Sequence, residues 1–141
     1  MLTTEVQQIL QKRFPGDSLI ALATVSEGQP EVRAVDAYYE DGSFYIITHA
    51  LSGKMRQLEK NPTAAIAADW FTAKGEGQNL GWFGLEENRP MAQKLRAAFA
   101  AWIDNGHNDF EDRNTVILRV RLTSGVLFAA GKRYEVDFAE K

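Results

Sequence analysis

The chain has 141 residues, 45% hydrophobic and 25% charged, which suits one globular domain with a real core and is too short for two ordinary domains. It contains no cysteine, so disulfides, thiolate nucleophiles and sulfur-ligated zinc sites are excluded, and the cytoplasm is the expected compartment. The net charge is −3 with the basic residues scattered, no apolar run approaches the roughly eighteen residues of a membrane span, and no charged-then-apolar leader opens the chain; nucleic-acid and membrane partners are not expected.

Val6, Ile9, Leu10 and Phe14 fall at helical spacing, with threonines available as N-cap and Pro15-Gly16 as the stop, so residues 4–14 are expected to form an amphipathic helix. Residues 19–25 are nearly all apolar or β-branched and read as a buried strand turned by Ser26-Glu27-Gly28. A second strand spans 31–39, Glu40-Asp41-Gly42-Ser43 makes a tight turn, and a third strand spans 44–48. Phe44 and Ile46 make one face of that third strand apolar, and Tyr45 and Ile47 the other. One face can line a barrel; the other needs a helix, a ligand or a second subunit.

Residues 52–60 form a short predicted helix with Ser52 as N-cap, Met55 and Leu58 three apart, and Asn61-Pro62 at its end. Strands are expected over 64–70 and 71–82, where Gly75, Gly77 and Gly81 mark bulges or close backbone approach. Pro90 opens a third helix whose stripe of Met91, Leu95, Ala98, Phe99, Trp102 and Ile103 runs to Asn105-Gly106. Segments 115–122, 125–130 and 133–138 complete the strands. The fold class is therefore mainly β (α+β). Residues 1–141 are expected to form a single domain, an antiparallel barrel of six or seven strands with three flanking helices.

Lys54 and Arg56 sit in the first turn of the helix over 52–60, where the helix dipole disfavours cations by a few tenths to about 1 kcal/mol. A bound anion would remove the conflict. For such an anion, a phosphate monoester for example, an arginine fork, a lysine point charge, a hydroxyl and free helix amides make a good cradle. The bland readings are a solvated or ion-paired Arg33, an ordinary surface Lys54 and a Thr48 that only favours β-structure.

The order of these parts over residues 22–68 resembles the flavin-binding half of the pyridoxamine 5'-phosphate oxidase-like split barrels, and most closely their short, generic members related to general stress proteins. The resemblance implies a flavin mononucleotide (FMN) site formed by Arg33, Val35, Asp36, Ile47, Thr48, Ser52, Gly53 and Lys54. It also implies a homodimer with the cofactor at its interface, and a flavin-dependent oxidoreductase acting on a small molecule. No catalytic residue and no metal ligand set is assigned. Asp36, an acid close to a phosphate arginine, would contact the ring end or pair with a base.

A non-enzymatic flavin- or haem-binding module is one alternative, with His49 as the candidate haem ligand. A nitroimidazole-reductase-like or deazaflavin-dependent reductase is another. His107, in a polar loop, is expected to be solvated. Trp102 reads as core, whereas Trp70 and Trp82 would pack in the core or a dimer contact, or cover a flavin. Where the longer oxidases carry a basic motif for their substrate's phosphate, Glu135 and Asp137 stand here, so pyridoxamine phosphate is not the expected substrate.

Overall fold

A computed structural model describes residues 2–106 and 108–138. Helix α1 (Thr4–Arg13) starts where the Thr3 hydroxyl accepts the Val6 N–H at 3.2 Å, and it buries Val6 and Leu10. Phe14, just past its end, meets Phe44 edge to face with ring centres 5.3 Å apart. Then follow β1 (Ser18–Ser26), β2 (Gln29–Glu40), β3 (Ser43–His49), α2 (Gly53–Lys60), β4 (Thr63–Ala68), β5 (Phe71–Trp82), a 3₁₀ turn (Glu86–Asn88), α3 (Arg89–Ala98), β6 (Thr115–Ala129) and β7 (Lys132–Asp137). The strand order is β3-β2-β1-β4-β5-β6-β7, and an additional β3–β6 pairing closes six antiparallel strands into a barrel with β7 as an extra strand. No helix among the described residues is long and apolar enough to cross a membrane.

Two features of the barrel shape everything near the candidate site. β2 pairs with β3 only through Tyr38–Glu40 and Ser43–Tyr45, after which β3 runs against β6 alone. The facing backbone edges of residues 29–37 and 46–49 therefore have no strand between them. α2 follows at once and sinks Met55 and Leu58 into the barrel core. Leu58 fits because β5 offers Gly77 at the contact: a Cβ there would lie 2.8 Å from a Leu58 methyl.

Segments 115–122 and 125–130 are not separate strands. They form one 15-residue β6, which pairs first with β3 and then with β7 along the same edge, and with β5 along the other. α3 ends at Ala98, earlier than its apolar stripe predicts. Phe99 and Ile103 remain buried because turns carry the chain on over the same surface, with Ile103 N–H donating to the Phe99 carbonyl at 2.8 Å. Leu95, Phe99, Phe83 and Ile117 form a second apolar cluster against which Tyr45 and Ile47 pack. The α3 region thus packs against the outer face of β3.

Hairpin turns at Glu27-Gly28, Asp41-Gly42, Asp69-Trp70 and Ala130-Gly131 all have positive φ at both central residues, as two-residue primed turns require. Three place glycine second. The fourth places Trp70 there, at φ 62° and 77% exposed. A bulky residue in this region costs about 1–2 kcal/mol, and glycine returns part of the gain as unfolded-state entropy. Trp70→Gly is expected to stabilise the isolated chain by about 0.5–1 kcal/mol in urea unfolding. A loss of stability would mean that the exposed indole makes contacts worth more than its strain.

Trp82 is half-buried beside the α3 cluster and donates its Nε1–H to the Phe110 carbonyl at 2.9 Å, and Trp102 joins the same cluster. Both pack against that cluster.

Candidate functional site

Arg33 lies on the inward-facing side of β2, opposite Leu22 of β1. Its guanidinium donates to the Leu22 carbonyl at 3.2 Å, to the Thr24 hydroxyl at 2.8 Å and to Gln57 Oε1 of α2 at 3.3 Å. Thr24 is itself buried and donates to Gln57 Oε1 at 2.5 Å, while Gln57 Nε2 donates to Glu31 at 2.9 Å. All of Arg33's acceptors are neutral. The network fixes its position without neutralising its charge.

Lys54 donates through Nζ to the Thr48 hydroxyl at 2.6 Å. It is half-buried in the first turn of α2, and burial, followed by the nearby Arg33 charge, lowers its pKa from the ordinary 10.5. Among the described residues neither cation has a carboxylate partner within ion-pair distance. Two like charges held together at partial burial are unfavourable unless an anion joins them.

Ser52 occupies the N-cap position of α2 but makes no capping bond, contrary to the sequence expectation, and no acidic residue stands in that first turn. Its hydroxyl oxygen is buried, the one such side-chain polar atom without a hydrogen-bond partner among the described residues. The helix start is thus uncapped, with an idle hydroxyl and two cations that make no ion pair beside it. Those are the donors a phosphate monoester takes.

Arg33, Thr48, Ser52, Gly53 and Lys54 come together in this way. The side chains of Val35, Asp36 and Ile47 do not. Val35 packs against the barrel core, and Ile47 points to the α3 cluster on the face opposite Thr48. Their backbones, however, lie on the two edges that part where β2 and β3 separate. Asp36 faces outward, and burial together with the Asp17 carboxyl raises its pKa. Its neighbour is therefore an acid, and not the base expected from the sequence.

Thr24 and Gln57 escaped the sequence reading. Thr24 is the one polar side chain in the run 19–25, and Gln57 follows Lys54 by three residues, but neither mark says that the residue meets Arg33.

His49 ends β3 with its Nδ1 accepting the Leu51 N–H at 3.3 Å and its Nε2 3.1 Å from Asp112 Oδ2. The Asn114 N–H and then His49 hold the Asp112 carboxyl below the usual range. His107 lies outside the described residues. Among those described, no group of three or more metal-ligating side chains is assembled.

The general stress protein 26 from Bacillus anthracis str. Sterne has a similar structure, with a TM-score of 0.69 at 16% identity, covering 94% of this chain and all of that one. A haem-binding protein from Mycobacterium smegmatis gives 0.67 at 16% identity, over 89% of this chain and 55% of that longer one. A FAD-binding protein from Mesorhizobium loti gives 0.64 at 14% identity, over 83% of this chain and 90% of that one. At such identities the likeness establishes the fold alone. Among curated proteins none matches the sequence. The sequence profile of the pyridoxamine 5'-phosphate oxidase family matches residues 2–126. With a closed split barrel, and with that profile spanning most of its length, the chain belongs to the pyridoxamine 5'-phosphate oxidase family.

Proposed function

We propose that this protein binds flavin mononucleotide and works as a flavin-dependent oxidoreductase on a small molecule. One observation carries the reading: Arg33 and Lys54 stand together, neither ion-paired to a carboxylate among the described residues, beside the uncapped start of α2 and the unpartnered Ser52 hydroxyl. The phosphate would sit there. Alternate residues of 33–36 and 47–48 turn their N–H and C=O to the open edges, so one of Val35 and Asp36, and one of Ile47 and Thr48, would meet a ring through its main chain. The bound flavin supplies hydride or electron transfer; the protein's part is to hold the phosphate, orient the ring and limit water.

Family membership and a flavin-binding structural relative support this reading. The haem alternative is weaker, because both ring nitrogens of its candidate ligand, His49, are already engaged. A phosphorylated substrate near β7 is also disfavoured, since Arg133 pairs with Glu135 at 3.1 Å. A homodimer is proposed as well. An open groove of about 770 Å³ over the outer sheet face, lined by Ala21, Ala23, Ala65, Ala67 and the 69% exposed Val32, is the surface a second copy would cover. Sedimentation of the flavin-loaded protein at monomer mass would overturn the dimer. The cytoplasm remains the proposed compartment for this cysteine-free chain.

The test is anaerobic reduction of the FMN-loaded protein by a nicotinamide nucleotide or dithionite, followed by exposure to candidate acceptors. Reoxidation coupled to acceptor reduction is expected. A flavin that binds but never passes electrons on would leave a binding module.

The affinity should also depend on pH. A phosphate monoester gains its second charge near pH 6, so binding tightens through about that value. At high pH the sign reverses: the bound anion raises the lowered Lys54 pKa, so affinity falls as pH rises through the free protein's Lys54 titration, below the ordinary 10.5. FMN titrations across the alkaline range check this, and a flat profile there would mean that Lys54 does not meet the phosphate.

A further inference from the structure

Glu31 and Arg33 stand two residues apart on β2 and face the same side of the strand, roughly 6.6 Å apart along it. Both side chains are long enough to meet. Among the described residues neither makes an ion pair. The Gln57 amide of α2 stands between them: its Nε2 donates to Glu31 Oε2 at 2.9 Å, and its Oε1 accepts from Arg33 Nη2 at 3.3 Å. The buried Thr24 hydroxyl, opposite Glu31 in the β1–β2 register, donates to the same Oε1 at 2.5 Å.

Polarity fixes this amide at both ends. Turned over, it would set its NH₂ against the guanidinium and its oxygen against the Glu31 carboxylate, donor facing donor and acceptor facing acceptor. An amide is also the neutral group that bonds a cation and an anion at once. A carboxylate in its place would neutralise Arg33 and repel Glu31. A small apolar side chain would let Glu31 close on Arg33, since Glu31 is exposed at its end of the strand and Arg33 keeps donors to spare.

Resting on the phosphate cradle proposed above, we infer that Gln57 is a positioning residue that insulates Arg33 from Glu31, and that Glu31 is an internal competitor for the ligand's phosphate. The anion affinity of the cradle is then set by a side chain that acts only through Arg33.

The experiment titrates the wild type, Gln57→Ala, Glu31→Gln and the double variant with riboflavin and FMN, read by flavin fluorescence, with circular dichroism to confirm the fold. Gln57→Ala is expected to weaken FMN binding about five-fold, the size of a partly exposed ion pair set against the ligand, and to leave riboflavin binding unmoved. Adding Glu31→Gln should restore the FMN affinity to within about two-fold of the wild type, and Glu31→Gln alone should stay within that range. Gln57→Glu keeps an acceptor for Thr24 and so carries the test if the alanine variant unfolds: its FMN affinity should fall by about ten-fold or more. FMN binding by Gln57→Ala that is unchanged, or weakened without rescue by Glu31→Gln, overturns the insulating role and leaves the cradle standing. A Gln57→Glu variant that binds FMN as the wild type does the same. Wild-type binding of FMN no tighter than that of riboflavin overturns the cradle and this inference together.

Discussion

Lys54→Ala is expected to weaken FMN binding by about ten- to a hundred-fold while leaving riboflavin affinity unchanged. The lost interaction is a charge-assisted contact at a partly buried site, worth about 1.5–3 kcal/mol. The same substitution should leave the cofactor-free protein as stable as before, or more so. In that state Lys54 is desolvated, stands near Arg33 and has only the Thr48 hydroxyl as partner. Its lowered pKa works against folding while it is charged, and the penalty is relieved as pH rises through the folded value towards 10.5. The variant should therefore lose that pH dependence. Arg33→Ala would be less clean, because it also strips a donor from buried Thr24 and from Gln57. An unchanged FMN affinity in Lys54→Ala, with the fold intact, would remove the cradle.

The second large effect concerns the fold itself. A Cβ on Gly75 would lie 2.4 Å from the Arg121 carbonyl oxygen and 3.1 Å from the Leu122 Cα, so the obstacle is backbone and no rotamer relieves it. Gly75 borders the register shift where β5 slips against β6, at the long seam of the barrel. Gly75→Ala must push the two strands apart, and we expect a loss of about 3 kcal/mol, a large share of a typical domain's 5–15 kcal/mol. Urea unfolding with Gly16→Ala as the control reads it. Gly16 has nothing within 4 Å of an added Cβ, so the control should stay near wild type. A Gly75→Ala midpoint equal to the control's would contradict the close seam.

Much of the fold was legible because local signals agreed with tertiary ones. Thr3, Val6, Leu10 and Phe14 outlined α1, Asp41-Gly42 gave its hairpin, and Gly75, Gly77 and Gly81 marked real irregularities or contacts in β5. The misses have a physical pattern. Periodicity reports burial, not hydrogen bonding, so the α3 stripe read on through Phe99 and Ile103 although the helix had ended at Ala98. β6 was split in expectation at Thr123 and Ser124, yet it runs through them unbroken because β7 takes over as partner where β3 leaves off. The Asp69-Trp70 turn was hidden because tryptophan is a poor left-handed residue, and only the β4–β5 pairing up to Ala68 and Phe71 places it there.

For the site, residue types and spacing sufficed to propose Arg33, Thr48, Ser52 and Lys54. What they could not reveal was support from elsewhere in the chain. Thr24 lies nine residues before Arg33 and Gln57 twenty-four after it, and only the β1–β2 register and the seating of α2 on Gly77 bring them together. The outward turn of Asp36 towards Asp17 likewise depends on strand register, since alternate residues of β2 face opposite sides.

The most direct measurement is a parallel fluorescence titration of the wild-type protein with riboflavin and with FMN at neutral pH. Two cations, an idle hydroxyl and an uncapped helix predict that the phosphate alone improves affinity by about a hundred-fold or more. Equal affinity for the two, or binding of neither, would contradict a phosphate-centred flavin site.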